Sequence, residues 1–219
     1  WLSREGVAAI ATFVPAGLLG IGWGLTGSHS GLWSVAALLC VAAALITVYC
    51  TGMIYQSLPT IRAWHMPSVS PIYVLMALAT VGLLAVLVLR AFGVMPRFFD
   101  FIVACWLAIG LVMKSAYWTS IDTAPRTLTA EAATGLGKLG KVRPLEPPHT
   151  EANYIMREMG FQVARKHALT LRWFVKLVGF VLPIVLLLVS MLMPDGIGIF
   201  LVVLAVIAAG AGVVVERWL

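Results

Sequence analysis

The sequence predicts an all-α integral membrane protein, a bundle of at least six transmembrane helices. Three observations predict it: composition, the length of the apolar runs, and the placement of basic charge. Hydrophobic residues make up 61% of the chain and charged ones 11%, with a mean hydropathy of +1.00. Soluble domains have roughly 45–50% apolar and about 25% charged residues. A bilayer core requires about 20 mostly apolar residues per helix, and six stretches reach that length. The alternative, the buried core of a soluble protein, requires helices with a polar face. Runs such as Leu171 to Met193 have none.

The apolar runs and their breakers delimit the helices. The first runs from Glu5 to Thr26 and the second from Gly31 to Ser57, separated by Gly27-Ser-His-Ser30. The third covers Pro71 to Ala91, the fourth Arg97 to Thr119, the fifth Trp173 to Met193 and the last Gly196 to Val215. Pro194-Asp195 joins the last two, so the first and last pairs are expected to be tight antiparallel hairpins. Pro15 and Pro183 are candidate kink positions. Residues 1–219 read as one transmembrane domain carrying a long loop over 120–172. The chain opens on Trp1 at a charged helix boundary. This carries the expectation that it is the later part of a longer protein, with six helices as a minimum.

Of the 15 Lys and Arg, all but Arg90 and Arg97 fall at the end of the bundle that holds the 58–70 and 120–172 loops. Short basic loops stay in the cytoplasm, so this end is expected to be cytoplasmic. The formal charge of +6 reflects that asymmetry and calls for no nucleic acid. Within the long loop, Gly135-Leu-Gly-Lys-Leu-Gly140 lacks the Lys-Ser/Thr ending of a phosphate loop and reads as a flexible connector. Pro144, Pro147 and Pro148 stiffen the chain after it. From Glu151 to Arg172 the loop is predicted to be an amphipathic helix. Arg157, Arg165, Arg172 and Lys176 form a basic stripe and Ile155, Met159 and Val163 an apolar one. Such a helix suits either the anionic membrane surface or an acidic partner.

Cys40, Cys50 and Cys105 are far apart in apolar helices and lack the spacing of an iron–sulfur site. His29, His65, His149 and His167 lie in loops or at helix edges, where none can project into a bundle as a haem ligand. No hydrolase elbow or zinc motif is present. Mid-membrane charge is sparse, which weighs against an ion channel or a proton pump. Polar residues gather instead at the basic ends of the helices. Arg4 and Glu5 open the first; Tyr55 and Gln56 close the second, ahead of Arg62-Ala-Trp-His65. Lys114, Tyr117 and Trp118 close the fourth, with Lys114 about one turn inside, and Arg172, Trp173 and Lys176 open the fifth. Part of this is the ordinary interfacial belt of aromatic and snorkelling basic side chains.

Three strings carry a resemblance: Trp1-Leu-Ser-Arg-Glu-Gly6, Tyr49-Cys-Thr-Gly-Met-Ile-Tyr-Gln-Ser-Leu58 with Ile61-Arg-Ala-Trp-His65, and Asn153-Tyr-Ile-Met-Arg-Glu-Met-Gly-Phe161 with Ala164-Arg-Lys-His167. Together they resemble the membrane anchor subunit of the dimethyl sulfoxide reductase family, and among its members most of all the anchor of the cytoplasmic quinone-linked sulfite dehydrogenase. The resemblance implies eight helices in a full-length member, so that two would be missing here. It implies a bacterial inner-membrane complex with a molybdopterin catalytic subunit and an iron–sulfur subunit of four clusters. The anchor would exchange electrons with a quinone (ubiquinone or menaquinone) and hold neither haem nor cluster. Glu5 matches a position associated with the family's quinol site. Arg4, Arg62, His65 and Lys114 are then candidates to hydrogen-bond a quinone oxygen, with Glu5 and His65 relaying protons. Arg157, Arg165, Lys166 and Arg172 are candidates for docking the partners. The cytoplasmic basic face favours sulfite oxidation over a sulfoxide reductase running from quinol to substrate. A small-molecule transporter is the competing class, and it would require broken helices and midplane polar groups.

Overall fold

The computed structural model describes residues 2–27, 30–94, 97–124, 129–143, 145–146, 164 and 166–219. Of the described residues 82% are helical and none lies in a strand. Six helices are long and apolar enough to cross a membrane, and the chain is a multi-pass membrane protein. They are α1 (Leu2–Thr26), α2 (Leu32–Gln56), α3 (Val69–Ala91), α4 (Arg97–Thr123), α6 (Ala168–Ser190) and α7 (Asp195–Trp218). A short α5 (Ala130–Thr134) and a 3₁₀ turn (Leu136–Lys138) lie between α4 and α6. The Gly135–Gly140 string, expected to be a flexible connector, therefore contains that 3₁₀ turn. The helix expected near 151–172 lies mostly outside the described residues, as do Arg157 and Arg165. Ala168 to Arg172, the last residues of that stretch, belong to α6, which starts at Ala168, five residues before the expected Trp173.

Helices α3, α4, α6 and α7 form a four-helix bundle: α3 packs on α4 and α7, and α6 packs on α4 and α7. Helix α2 lies against the outside of α3, and α1 against α2. Each bundle helix presents one stripe inward. On α3 the buried stripe is Ile72, Met76, Ala79, Leu83, Val86 and Arg90. On α7 it is Gly198, Val202, Ala205, Ala209, Gly212 and Glu216. Both recur at alternating steps of four and three, the spacing that keeps a seam facing its neighbour in left-handed packing. On α4, Asp100, Ala104, Leu107, Lys114 and Trp118 follow the same register.

The inward residues of α6 are Val175, Gly179, Pro183, Leu187 and Ser190, with steps of four, four, four and three. That is one residue more than the register of its neighbours. The π-helical segment Val175–Val181 absorbs it, since a π turn takes up an inserted residue without breaking the helix. Pro183 follows at once; lacking an N–H, it leaves the carbonyl of Gly179 without its usual α-helical donor. Here α6 approaches α7 closely. A Cβ on Gly179 would lie 3.0 Å from the Gly212 Cα, so both positions require glycine. Small residues at such a crossing replace the hydrophobic drive that is missing between helices in lipid.

Each end of the bundle is closed by an ion pair. At the end away from the basic loops, the Arg90 guanidinium donates to the Asp100 carboxylate and, at 3.3 Å, to the Ser190 carbonyl. Arg90 is 3% exposed and Asp100 0%. The Gly198 backbone leaves room for the guanidinium, whose Nη1 lies 3.0 Å from where a Cβ would be. The dipoles of both helices favour this pair, with Arg90 in the last turn of α3 and Asp100 in the first turn of α4. Replacing Arg90 by Ala is expected to cost roughly 3–5 kcal/mol by stranding a buried carboxylate. The double change Arg90→Met with Asp100→Leu should recover most of it. Thermal unfolding in detergent micelles measures both; equal destabilisation by the single and the double variant would contradict the role given to the pair.

Candidate functional site

The basic ends of the helices surround a cavity of about 490 Å³. Its walls come from Tyr55 on α2, Tyr73 on α3, Tyr117 and Trp118 on α4, Arg172 on α6 and Glu216 on α7, with Trp64 from the 57–68 loop. Helical spacing explains the α4 contribution: Lys114, Tyr117 and Trp118 are three and four residues apart and share one face. Lys114 Nζ lies 4.5 Å from the Tyr117 ring centroid and 5.5 Å from that of Trp118. Tyr55 stacks on Tyr73 at 5.5 Å and meets the edge of Trp64 at 5.1 Å.

The 57–68 loop is held over this cavity by side-chain bonds. Tyr117 donates its hydroxyl to the Ala63 carbonyl at 2.8 Å. His65 donates from Nδ1 to the Gln56 carbonyl at 2.7 Å, a tautomer required because a carbonyl can only accept. The Gln56 side-chain oxygen accepts from Ser70 Oγ at 2.7 Å, at the entry of α3. His65 therefore shapes the loop and is not among the cavity-lining residues.

Glu216 and Lys114 form the second ion pair, 7% and 8% exposed respectively. Glu216 stands in the last turns of α7, where the helix dipole disfavours a carboxylate. Its second oxygen, Oε2, lies 3.3 Å from Arg217 Nε but outside hydrogen-bond geometry, and has no hydrogen-bond partner among the described residues. Arg217 in turn covers the Tyr73 ring at 4.4 Å. Three cations, Lys114, Arg172 and Arg217, thus line the cavity beside one carboxylate. Arg172 is bound to Asp122 at 2.6 Å. Aromatic side chains and donors from Lys and Arg suit a planar ring bearing oxygen acceptors, and the spare carboxylate oxygen can accept only from a ring hydroxyl.

Of the site residues expected from the sequence, Lys114 and Arg172 line the cavity, as do Tyr55, Tyr117 and Trp118 of the aromatic belt. Glu5 is half-buried between α1 and α2, where Thr51 donates to its Oε1 at 2.7 Å. Thr51 lines a smaller cleft of about 230 Å³, which shares Tyr73 and Arg217 with the main cavity. Arg4, Arg62 and Lys166 are exposed. The site residues the sequence reading missed are Glu216, Tyr73 and Arg217. Glu216 was detectable as the last position of the four-three register that begins at Gly198, and Lys114 lies two heptads beyond Asp100 on α4.

Comparisons with protein-family models, with curated proteins and with solved structures found no match to the chain.

Replacing Tyr117 by Phe removes one neutral hydrogen bond to the loop, worth about 1 kcal/mol. Trypsin cleavage after Arg62 should then accelerate roughly fivefold, because proteolysis follows the population of the open loop. An unchanged rate would mean that Tyr117 does not hold the loop down.

Proposed function

We propose that the protein is the membrane anchor of an oxidoreductase complex and that it binds a quinone headgroup in the aromatic cavity. The observation that carries this reading is the buried Lys114–Glu216 pair inside an aromatic, cation-rich cavity at the basic end of the bundle. A quinone accepts and releases electrons and protons together. The protein's part is to bind the ring, hold its oxygens and supply a proton path. Tyr55 and Trp118 would flank the ring, while Tyr73 is stacked on Tyr55 and covered by Arg217. Lys114 and Arg217 would donate to its oxygens, and Glu216, with Oε2 unsatisfied, would hold or pass a proton at that atom. Glu5 lies outside this cavity and would act through Thr51.

Under the same reading, the basic end faces the cytoplasm of a bacterial inner membrane. Lys166 and Arg172, with Arg157 and Arg165 outside the described residues, would meet an acidic surface of the iron–sulfur subunit. The molybdopterin subunit would lie beyond it. A cytoplasmic catalytic module suits sulfite oxidation feeding electrons to quinone; a sulfoxide reductase anchor running from quinol is the variant with the opposite flow. Transport receives less support. The described spans stay helical throughout, with only a π-helical segment in α6, and their buried ionisable residues sit toward the helix ends rather than at midplane.

Purification in mild detergent through this subunit should bring down two soluble partners, together with molybdenum and iron. Recovery of the protein alone and metal-free would sink the anchor reading. Within the cavity, Glu216→Gln or Lys114→Gln should weaken quinone binding roughly tenfold or more, the scale of a hydrogen bond to a charged group. Glu5→Gln should change it much less. Quenching of tryptophan fluorescence on quinone titration provides the measurement, and a larger effect at Glu5 than at Glu216 would move the site.

A further inference from the structure

The smaller cleft is bounded by Val48 and Thr51 of α2, Met76, Ala77 and Thr80 of α3, and Val213 of α7. It meets the main cavity at Tyr73 and Arg217, which line both. From Tyr73 to Thr80 it extends about 10 Å along α3, at 1.5 Å per residue. Thr80 lies halfway along that 23-residue helix, so the cleft leads from the basic end toward the middle of the membrane. Its two threonines contribute little polarity. Thr51 Oγ1 bonds Glu5 and the Thr47 carbonyl, and Thr80 Oγ1 bonds the Met76 carbonyl at 2.8 Å. With both hydroxyls engaged, apolar side chains and threonine methyls remain to face a ligand, with a cation only at the cavity end.

We infer that this cleft holds the first isoprene units of the quinone's tail, with the Arg217–Tyr73 pair marking the boundary between ring and tail. The inference rests on the quinone reading of the main cavity. An amphiphile matches the arrangement because polarity changes at one place along a continuous path. Cations and aromatic faces lie on one side of Tyr73, and an apolar groove pointing toward midplane lies on the other. A tail gains little hydrophobic free energy by leaving lipid for protein, since both are equally apolar. The cleft therefore acts through shape: it aligns the chain, and with it the ring, and directs entry sideways between α2 and α7.

The test is binding of two quinones to the protein in lipid nanodiscs, one with a long isoprenoid tail and one without a tail, read by quenching of tryptophan fluorescence. Ala77→Phe and, from the facing wall, Val213→Phe each fill the cleft at a residue that does not itself line the main cavity. Overfilling of this kind should raise the Kd of the long-tailed quinone about tenfold in both variants. The tail-less quinone should bind with an unchanged Kd and so report that the fold is intact. Equal weakening of both quinones, or no change in either, would overturn the tail assignment while leaving the ring site standing. If the unaltered protein bound neither quinone, the ring site and the tail cleft would both fall.

Discussion

Inside a bilayer no water is available to solvate a charge, so an ionisable side chain within a helix bundle must find its counter-charge inside that bundle. In this protein the constraint is met on α4. Asp100 and Lys114 stand two heptads apart, roughly 21 Å along the helix axis, and on the same face. Asp100 binds Arg90 of α3, and Lys114 binds Glu216 of α7. Because the two pairs are fixed to one rigid helix, they set the registers of α3 and α7 against it together. A shift of either helix by one residue would turn a charge toward lipid. The extra residue in α6 is then taken up within α6, as the π segment, rather than by sliding the helix.

The two ion pairs are not equivalent. Both helix dipoles support Arg90–Asp100, the Ser190 carbonyl accepts from the same guanidinium, and the pair is sealed from its surroundings. It has the character of a structural clasp. Lys114–Glu216 opens onto a cavity and places a carboxylate against its helix dipole; an unsatisfied carboxylate oxygen is common to both pairs, Glu216 Oε2 here and Asp100 Oδ1 in the other. Local rules of this kind are broken mainly where function requires it. The cavity beside it is lined by large aromatic side chains, Tyr55, Trp64, Tyr73, Tyr117 and Trp118. The 57–68 loop, held by Tyr117 and His65, then closes the opening.

This arrangement shifts the emphasis among residues that look alike in the sequence. Glu5, His65 and Lys114 all stand near basic helix ends. In space they do three different things: Glu5 joins α1 to α2 through Thr51, His65 holds a loop to the end of α2, and Lys114 lines the cavity. Glu216 and Arg217, adjacent in the sequence, were not singled out from it. Packing separates them: Glu216 turns into the bundle and Arg217 lies over the face of Tyr73.

The sequence by itself determined the all-helical class, the six spans to within a few residues, and the hairpin links. Hydropathy and helix breakers act locally, and a bilayer rewards any apolar segment of sufficient length. The inward stripe of α3 was not legible there, because that helix is apolar on every side and only burial picks out its four-three spacing. What only the tertiary structure decided is which charges meet: Arg90 with Asp100 across a short turn, and Lys114 with Glu216 across about a hundred residues of chain. It also decided that α1 and α2 lie outside the four-helix core. Those outcomes depend on how helices choose neighbours, and in lipid that choice is made by close packing and charge pairing between segments distant in sequence, which no local pattern encodes.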